Sequence, residues 1–306
     1  MIGVVTLVFV LFNILPGDPA RMMLGQRADE KSIEIIHQEL GLDKPLHHQY
    51  CKYIYDLSHF DLRRSYQRGK PVADILKEAF PNTIYLALLS IAIAFVLGIT
   101  FGSLAAVYKD GWLEKIILVI TSLGMSLPSF FAAILIAWVF AFLLADYTGL
   151  SMFGSLWSVD DFGEGEYLSL KNIILPAVTL GIRPLAVITE LTKSTMKEVL
   201  EQDYIRTAKA KGLSNFKIIY SHALRNTLNP IVSSISGWFA SLIAGAVFVE
   251  YIFDWKGVGV VIVDSLEKYD FPVLMGALIV ICVILIIINV LTDIIYALLD
   301  PRVRIK

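Results

Sequence analysis

The sequence has little of what an enzyme or a small secreted scaffold needs. Its 306 residues include two cysteines, Cys51 and Cys282, far apart in the chain, and Cys282 sits inside an apolar run. A disulfide framework is not expected, and the redox compartment is not readable from them. There is no Walker-type phosphate loop: the one Gly-Lys pair, Gly69-Lys70, lacks the preceding glycine and the following Ser or Thr. No ATP binding through that motif is expected of this chain. His37, His47, His48 and Cys51 include the run HHQYC, which has no strong ligand spacing, so a surface cluster is expected and no metal. Internal repeats, Ser/Gly linkers and low-complexity tracts are absent.

What the chain does have is apolar length. It is 56% hydrophobic, and its mean hydropathy is +0.67. A spanning helix needs about 20 mainly apolar residues. Thr83–Val107, Ile173–Thr192, Leu228–Val249 and Val273–Leu298 qualify. Ile116–Leu144 is too long for one simple span and holds Pro128, so a helix broken near SLPSF is expected, its second half crossing the core. Met1–Leu15 would cover only about 22 Å at about 1.5 Å per residue. It has no basic flank and no small-residue cleavage site. Either the recorded start is late or this helix does not span alone.

Net charge is −2, but the charges are segregated. Segment 193–226 has seven Lys/Arg against three Asp/Glu, and the tail DPRVRIK is basic. Segment 146–172 has five acids and one lysine; segment 251–272 has four acids and two lysines. Lys/Arg-rich loops mark the cytoplasmic side. The expected fold is an all-α membrane protein with six spans, the first short, and both termini cytoplasmic. Residues 16–82 are then an external cap, with helix signals such as DEKSIEIIHQELGL, and 83–306 are the membrane core, with a cytoplasmic loop at 193–227.

Within that loop lies DYIRTAKAKGLSNFKIIYSHALRNTLNP, residues 203–230. Asp203–Lys211 reads as helix, and Gly212 suits a left-handed C′ position. Ser214 is an N-cap for a second helix, Asn215–Thr227, with Phe216, Ile219, Tyr220 and Ala223 on one face, and Pro230 falls where the fifth span begins. Three readings fit two short helices with a tight elbow. A DNA-binding helix-turn-helix has a similar turn, but tethering beside the bilayer leaves little room for a duplex, so no nucleic acid is expected. A basic surface helix would lie on anionic lipid. A docking knob would present the elbow to a soluble partner.

The motifs DYIRTAKAKGL…HALRN…NP, LPGDPA, LGLDKPLHHQY, YQRGKPVADIL, FPNTIYLA, SLPSF, LPAVTLG, ELTKSTMKEVL, VEYIFDWKGVG, YDFPVLMGA and DIIYALLDPRVR occur in order over nearly the whole chain. Together they resemble the B-type permease subunit of ABC importers of the dipeptide/oligopeptide/nickel branch. In the wider importer family the coupling loop begins Glu-Ala-Ala, with a glycine four residues after the second alanine. Here the corresponding residues are Arg206, Thr207 and Ala208, with Gly212 kept, so the glutamate contact does not carry over. The resemblance implies a heterodimer with a C-type permease, two ATPase subunits below and an extracytoplasmic substrate-binding protein above. It implies alternating access driven by ATP bound to the partners, with no cofactor and no catalytic residue in this chain. The implied docking loop is Asp203, Tyr204, Arg206, Thr207, Ala208, Lys209, Ala210, Lys211, Gly212, Leu213 and Ser214. The substrate is a di- or oligopeptide, with nickel or a metal–chelator complex as the alternative; a non-transport membrane scaffold is the alternative of another class.

Other residues stand apart from the loop. Arg183 lies mid-span, where a charge faces a partner or a water-filled path; it is read as a contact of the translocation route, against a structural partner on another span. Glu190 and Asp293 lie near cytoplasmic ends, where snorkelling or capping is expected. Trp157 and Trp255 fit an interfacial aromatic belt, or the acidic loop 251–272 meets the binding protein.

Overall fold

Helices carry nearly all the regular structure, as a chain in hydrocarbon requires, because each backbone N–H and C=O must there be satisfied within its own segment. A computed structural model describes residues 2–14, 18, 20–21, 29–159 and 166–299. The tail DPRVRIK, much of LPGDPA, the acids Asp160, Asp161 and Glu164, and the side chain of Asp293 lie outside the described residues.

The helices are α1 (Ile2–Ile14), α2 (Glu30–Leu40), α3 (Leu46–Ser58), α4 (Val72–Val107), α5 (Trp112–Ser126), α6 (Ser129–Ile136) and α7 (Ala145–Thr148). They continue with α8 (Lys171–Leu200), α9 (Asp203–Ala210), α10 (Asn215–Lys217), α11 (Leu224–Ile252), α12 (Val258–Glu267) and α13 (Phe271–Leu299). Wider π-helical turns follow α6 at Ala137–Leu143 and α10 at Ile218–Ala223. The sole β-structure among the described residues outside an isolated bridge is an antiparallel hairpin, β1 (Trp157–Val159) with β2 (Glu166–Leu168), in which Trp157 faces Leu168.

Among the described residues three helices are long and apolar enough to cross a membrane: Val72–Val107, Lys171–Leu200 and Phe271–Thr292. Two bent pairs qualify if each is one span: Trp112–Ser126 with Ser129–Leu143, bent by 116°, and Pro230–Ile243 with Gly245–Ile252, bent by 55°. The first bend is the break expected at SLPSF. Pro128 disfavours the α region for the residue before it, and Leu127 is extended at φ −78°, ψ 131°. At about 1.5 Å per residue α1 reaches only about 20 Å. α4 begins eleven residues before the expected span at Thr83, with Pro81 inside it.

The chain forms two compact units. One comprises 1–83 and 256–287. Its core joins Val72, Ile75, Leu76 and Ala79 of α4 to Val258 and Val261 of α12 and to Val273, Ala277 and Ile281 of α13. A second cluster sets Val5 and Phe9 of α1 on Tyr53 and Ile279. Asp270 is buried and gathers the loop before α4: its carboxylate accepts from the Ser65 hydroxyl, from the Tyr66 N–H at 3.0 Å and from the Gln67 N–H at 3.4 Å.

The other unit comprises 84–255 and 288–306. Its centre is α8, which packs on α5, α6 and α11 and closely on α4. Gly98 and Gly102 form a small-xxx-small step that lets two backbones approach. A Cβ on Gly102 would lie 2.5 Å from the Thr189 carbonyl oxygen and 2.5 Å from the Thr192 Cβ. Lys193 Nζ lies 2.5 Å from Glu114 Oε1 and ties the lower part of α8 to the start of α5.

Candidate functional site: an elbow between two long helices

The chain leaves α8 at Leu200, turns through Glu201 and extended Gln202, and re-enters helix at Asp203. α9 closes in a Schellman turn: the Gly212 N–H donates to the Lys209 carbonyl at 2.9 Å, and the Leu213 N–H to the Ala208 carbonyl at 3.3 Å. Gly212 has φ +77°, where a Cβ is strained. Ser214 then caps the next helix, its Oγ accepting from the Lys217 N–H at 3.4 Å.

The underside of the elbow is packed. Ile205 and Ala208 are buried with Ala106, Met196, Ile218 and Ala223, flanked by Val199, Leu200 and Leu213. The Tyr204 hydroxyl accepts from Asn226 Nδ2 at 2.7 Å, fixing α9 to α11. The outer surface is basic: Arg206, Lys209, Lys211 and Lys217 are exposed, and Arg206 lies 3.3 Å from Asp203. Tyr204, Thr207, Ala210, Gly212 and Ser214 are exposed as well. Of the expected docking residues, Ala208 is buried and Leu213 is half-buried.

Two further corrections concern the chain beyond the elbow. Asn215–Thr227 is not a separate short helix. The chain stays helical from Asn215 through the π turn and α11 to Ile252, with Pro230 inside. The expected apolar face also divides. In a π turn, residues five apart stack, so Ile218 and Ala223 are buried together. Phe216 and Tyr220 are 77% and 66% exposed, their rings parallel within 5° at 5.9 Å. A 3.6-residue period already sets Phe216 and Tyr220 on one face; the π turn leaves the two rings exposed beside the basic elbow while Ala223 is buried. The segment between α8 and α11 is thus 201–223, of which 215–223 is already helical.

Arg183 and Glu190 are both exposed on α8. Trp255 is fully buried, which removes it from an aromatic belt, while Trp157 on β1 is half exposed. His37 Nε2 lies 2.7 Å from Asp18 Oδ1, and the His47 ring packs on His48. Both cysteines are free thiols.

Residues 98–305 match the family described as binding-protein-dependent transport system inner membrane component, and residues 1–87 match its N-terminal companion. The chain belongs to this family of ABC-importer permeases. A putative peptide transport system permease protein of Brucella abortus (strain 2308) is 39% identical over 99% of this chain and 95% of its own length. The glutathione transport system permease protein of Escherichia coli O6:H1 is 35% identical over 98% and 93%. The probable D,D-dipeptide transport system permease protein of Escherichia coli K12 is 35% identical, again over 98% and 93%. In fold, the permease is like a chain of the inward-facing MetNI methionine ABC transporter, with a TM-score of 0.57 at 16% identity over 74% of this chain and 96% of that one. As a member of the peptide/nickel branch, the permease is a multi-pass inner-membrane subunit and not an enzyme: ATP hydrolysis lies in separate subunits. It works with a second permease, ATPase subunits and a substrate-binding protein.

Proposed function

We propose that this permease carries di- or oligopeptides inward by ATP-driven alternating access, as half of a heterodimer with a C-type permease above two ATPase subunits. The observation that carries the proposal is the elbow at 203–214. Its underside is packed onto α8 and α11, and its outer face offers Arg206, Lys209, Lys211 and the Phe216–Tyr220 pair. Such a knob suits a groove with acidic and apolar walls. An ATPase that moves when it closes on its twin would drag the elbow with it. The packed underside passes the motion to both long helices as a rigid body, tilting them and exposing the route alternately to the two sides.

The permease needs no nucleophile, base or cofactor for this; ATP is spent by the partners. Both termini lie in the cytoplasm, and the binding protein delivers cargo from outside. The three relatives' names all concern peptides or glutathione, which supports peptide cargo over nickel.

The test is to express the tagged permease with its chromosomal neighbours, extract it gently and measure what accompanies it. One second permease and two ATPase subunits, with peptide binding by the cognate receptor, support the proposal. Nickel binding by that receptor would replace the cargo. A permease that purifies alone or with lipid only would make it a scaffold.

A further inference from the structure

Down one face of α8 run Arg183, Val187, Glu190, Ser194 and Lys197, at steps of 4, 3, 4 and 3 residues, which a helix stacks into a single stripe. Arg183, Glu190, Ser194 and Lys197 are exposed, and Val187 is half-buried. Above Arg183 the same face is closed: Pro176, Thr179 and Leu180 are buried. The stripe is therefore polar, open from the middle of the helix to its elbow end, and shut above. Among the described residues neither Arg183 nor Glu190 has an ion pair. Charged side chains on a span are costly against lipid and face a partner or water.

We infer that this stripe is a peptide-contacting wall of the route, Arg183 meeting the cargo's carboxylate and Glu190 its ammonium. The inference rests on the importer reading above and adds how cargo is met. Arg183 and Glu190 are seven residues apart, about 10 Å along a helix. An extended chain spans at most about 3.3–3.6 Å per residue, so the two charges match the ends of a peptide of about three residues. A free peptide carries one charge of each sign at its ends; a bare divalent cation would find Arg183 repulsive. The order of the charges sets a direction: the amino end leads toward the elbow, and the carboxylate trails. Arg183 offers a planar fork of donors suited to a carboxylate.

The experiment uses the assembled importer in lipid vesicles, with Cys51→Ser and Cys282→Ser removing the native thiols. Arg183→Cys and Glu190→Cys are each treated with a charged, membrane-impermeant thiol reagent. Both are expected to react within roughly tenfold of Lys109→Cys in the exposed turn before α5, as thiols in water do, and saturating peptide is expected to slow both. In parallel, Arg183→Gln should raise the peptide concentration for half-maximal uptake severalfold for free peptides but not for C-amidated ones, with Arg183→Lys largely restoring it. Glu190→Gln should do the same for free against N-acetylated peptides. If the complex assembles and imports peptide while both cysteines resist the charged reagent, the stripe faces lipid or the second permease and the inference fails alone. If amidated and free peptides suffer equally from Arg183→Gln, the charge pairing fails. If no ATPase accompanies the permease, the importer reading fails and takes this inference with it.

Discussion

At the scale of single residues, the elbow hangs on Gly212. Its φ of +77° leaves open space around any added Cβ, so the cost of a substitution is conformational rather than steric. Gly212→Ala should strain the turn by about 1–2 kcal/mol and reduce co-purified ATPase without abolishing it. Gly212→Pro demands φ near −65° and removes the N–H that bonds Lys209. It should leave the permease in the membrane but without ATPase and without uptake; normal uptake would sink the docking reading. Asp270 is the matching residue of the first unit. Asp270→Ala would leave the Ser65, Tyr66 and Gln67 donors facing a void, a loss of about 3 kcal/mol or more for bonds to a charged acceptor. A lower thermal midpoint in detergent and faster proteolysis within 59–71 are the readouts. Gly212 and the Ser214 cap were legible in the sequence because one residue's backbone freedom suffices to name such a turn. Asp270 was not, because its three donors lie about two hundred positions away in the chain.

At the scale of elements, helix identity was readable and helix register was not. Apolar length located the long helices, since that property needs no partner. The π turn at Ile218–Ala223 is invisible to a 3.6-residue template, which turns Phe216 and Tyr220 toward the packed side, and Pro230 suggests a break after Thr227 where the helix runs on. Two contacts now carry predictions. Gly102 meets backbone as well as side chain on α8, so Gly102→Val should force α4 and α8 apart and sharply lower the folded yield. Gly98→Val should be milder, because a Cβ there comes no closer to backbone than 3.2 Å, at the Leu185 carbonyl oxygen, its nearest neighbour being the Ile188 side-chain Cγ2 at 2.7 Å. Equal damage from both would mean the approach is not set by backbone. The Tyr204–Asn226 bond latches α9 to α11 at an exposed position. Tyr204→Phe should therefore cost little stability, about 1 kcal/mol. If the elbow acts as a rigid lever, it should lower peptide imported per ATP hydrolysed while ATPase association persists.

At the scale of the whole molecule, charge and geometry bear on whether the pair α5 and α6, bent by 116° at Pro128, crosses the membrane or turns back. The ion pair between Lys193 and Glu114 puts the start of α5 beside the lower part of α8, on the elbow's side. The chain after α6 passes through α7 and the β1–β2 hairpin to Lys171, the opposite end of α8. α8 is 30 residues long, about 45 Å at about 1.5 Å per residue. Residues 145–170, at up to about 3.3 Å each, are long enough to cover that distance as well, and the Lys193–Glu114 contact fits either path. The charge pattern favours a crossing, with seven Lys/Arg in 193–226 and five acids in 146–172. In the cysteine-free background, Lys109→Cys should be labelled by an impermeant reagent only from the cytoplasmic face, and Ser151→Cys only from outside. Lys109 and Ser151 labelled from the same face would make α5 and α6 a re-entrant loop, remove one crossing, and place the acidic hairpin on the wrong side for a binding protein.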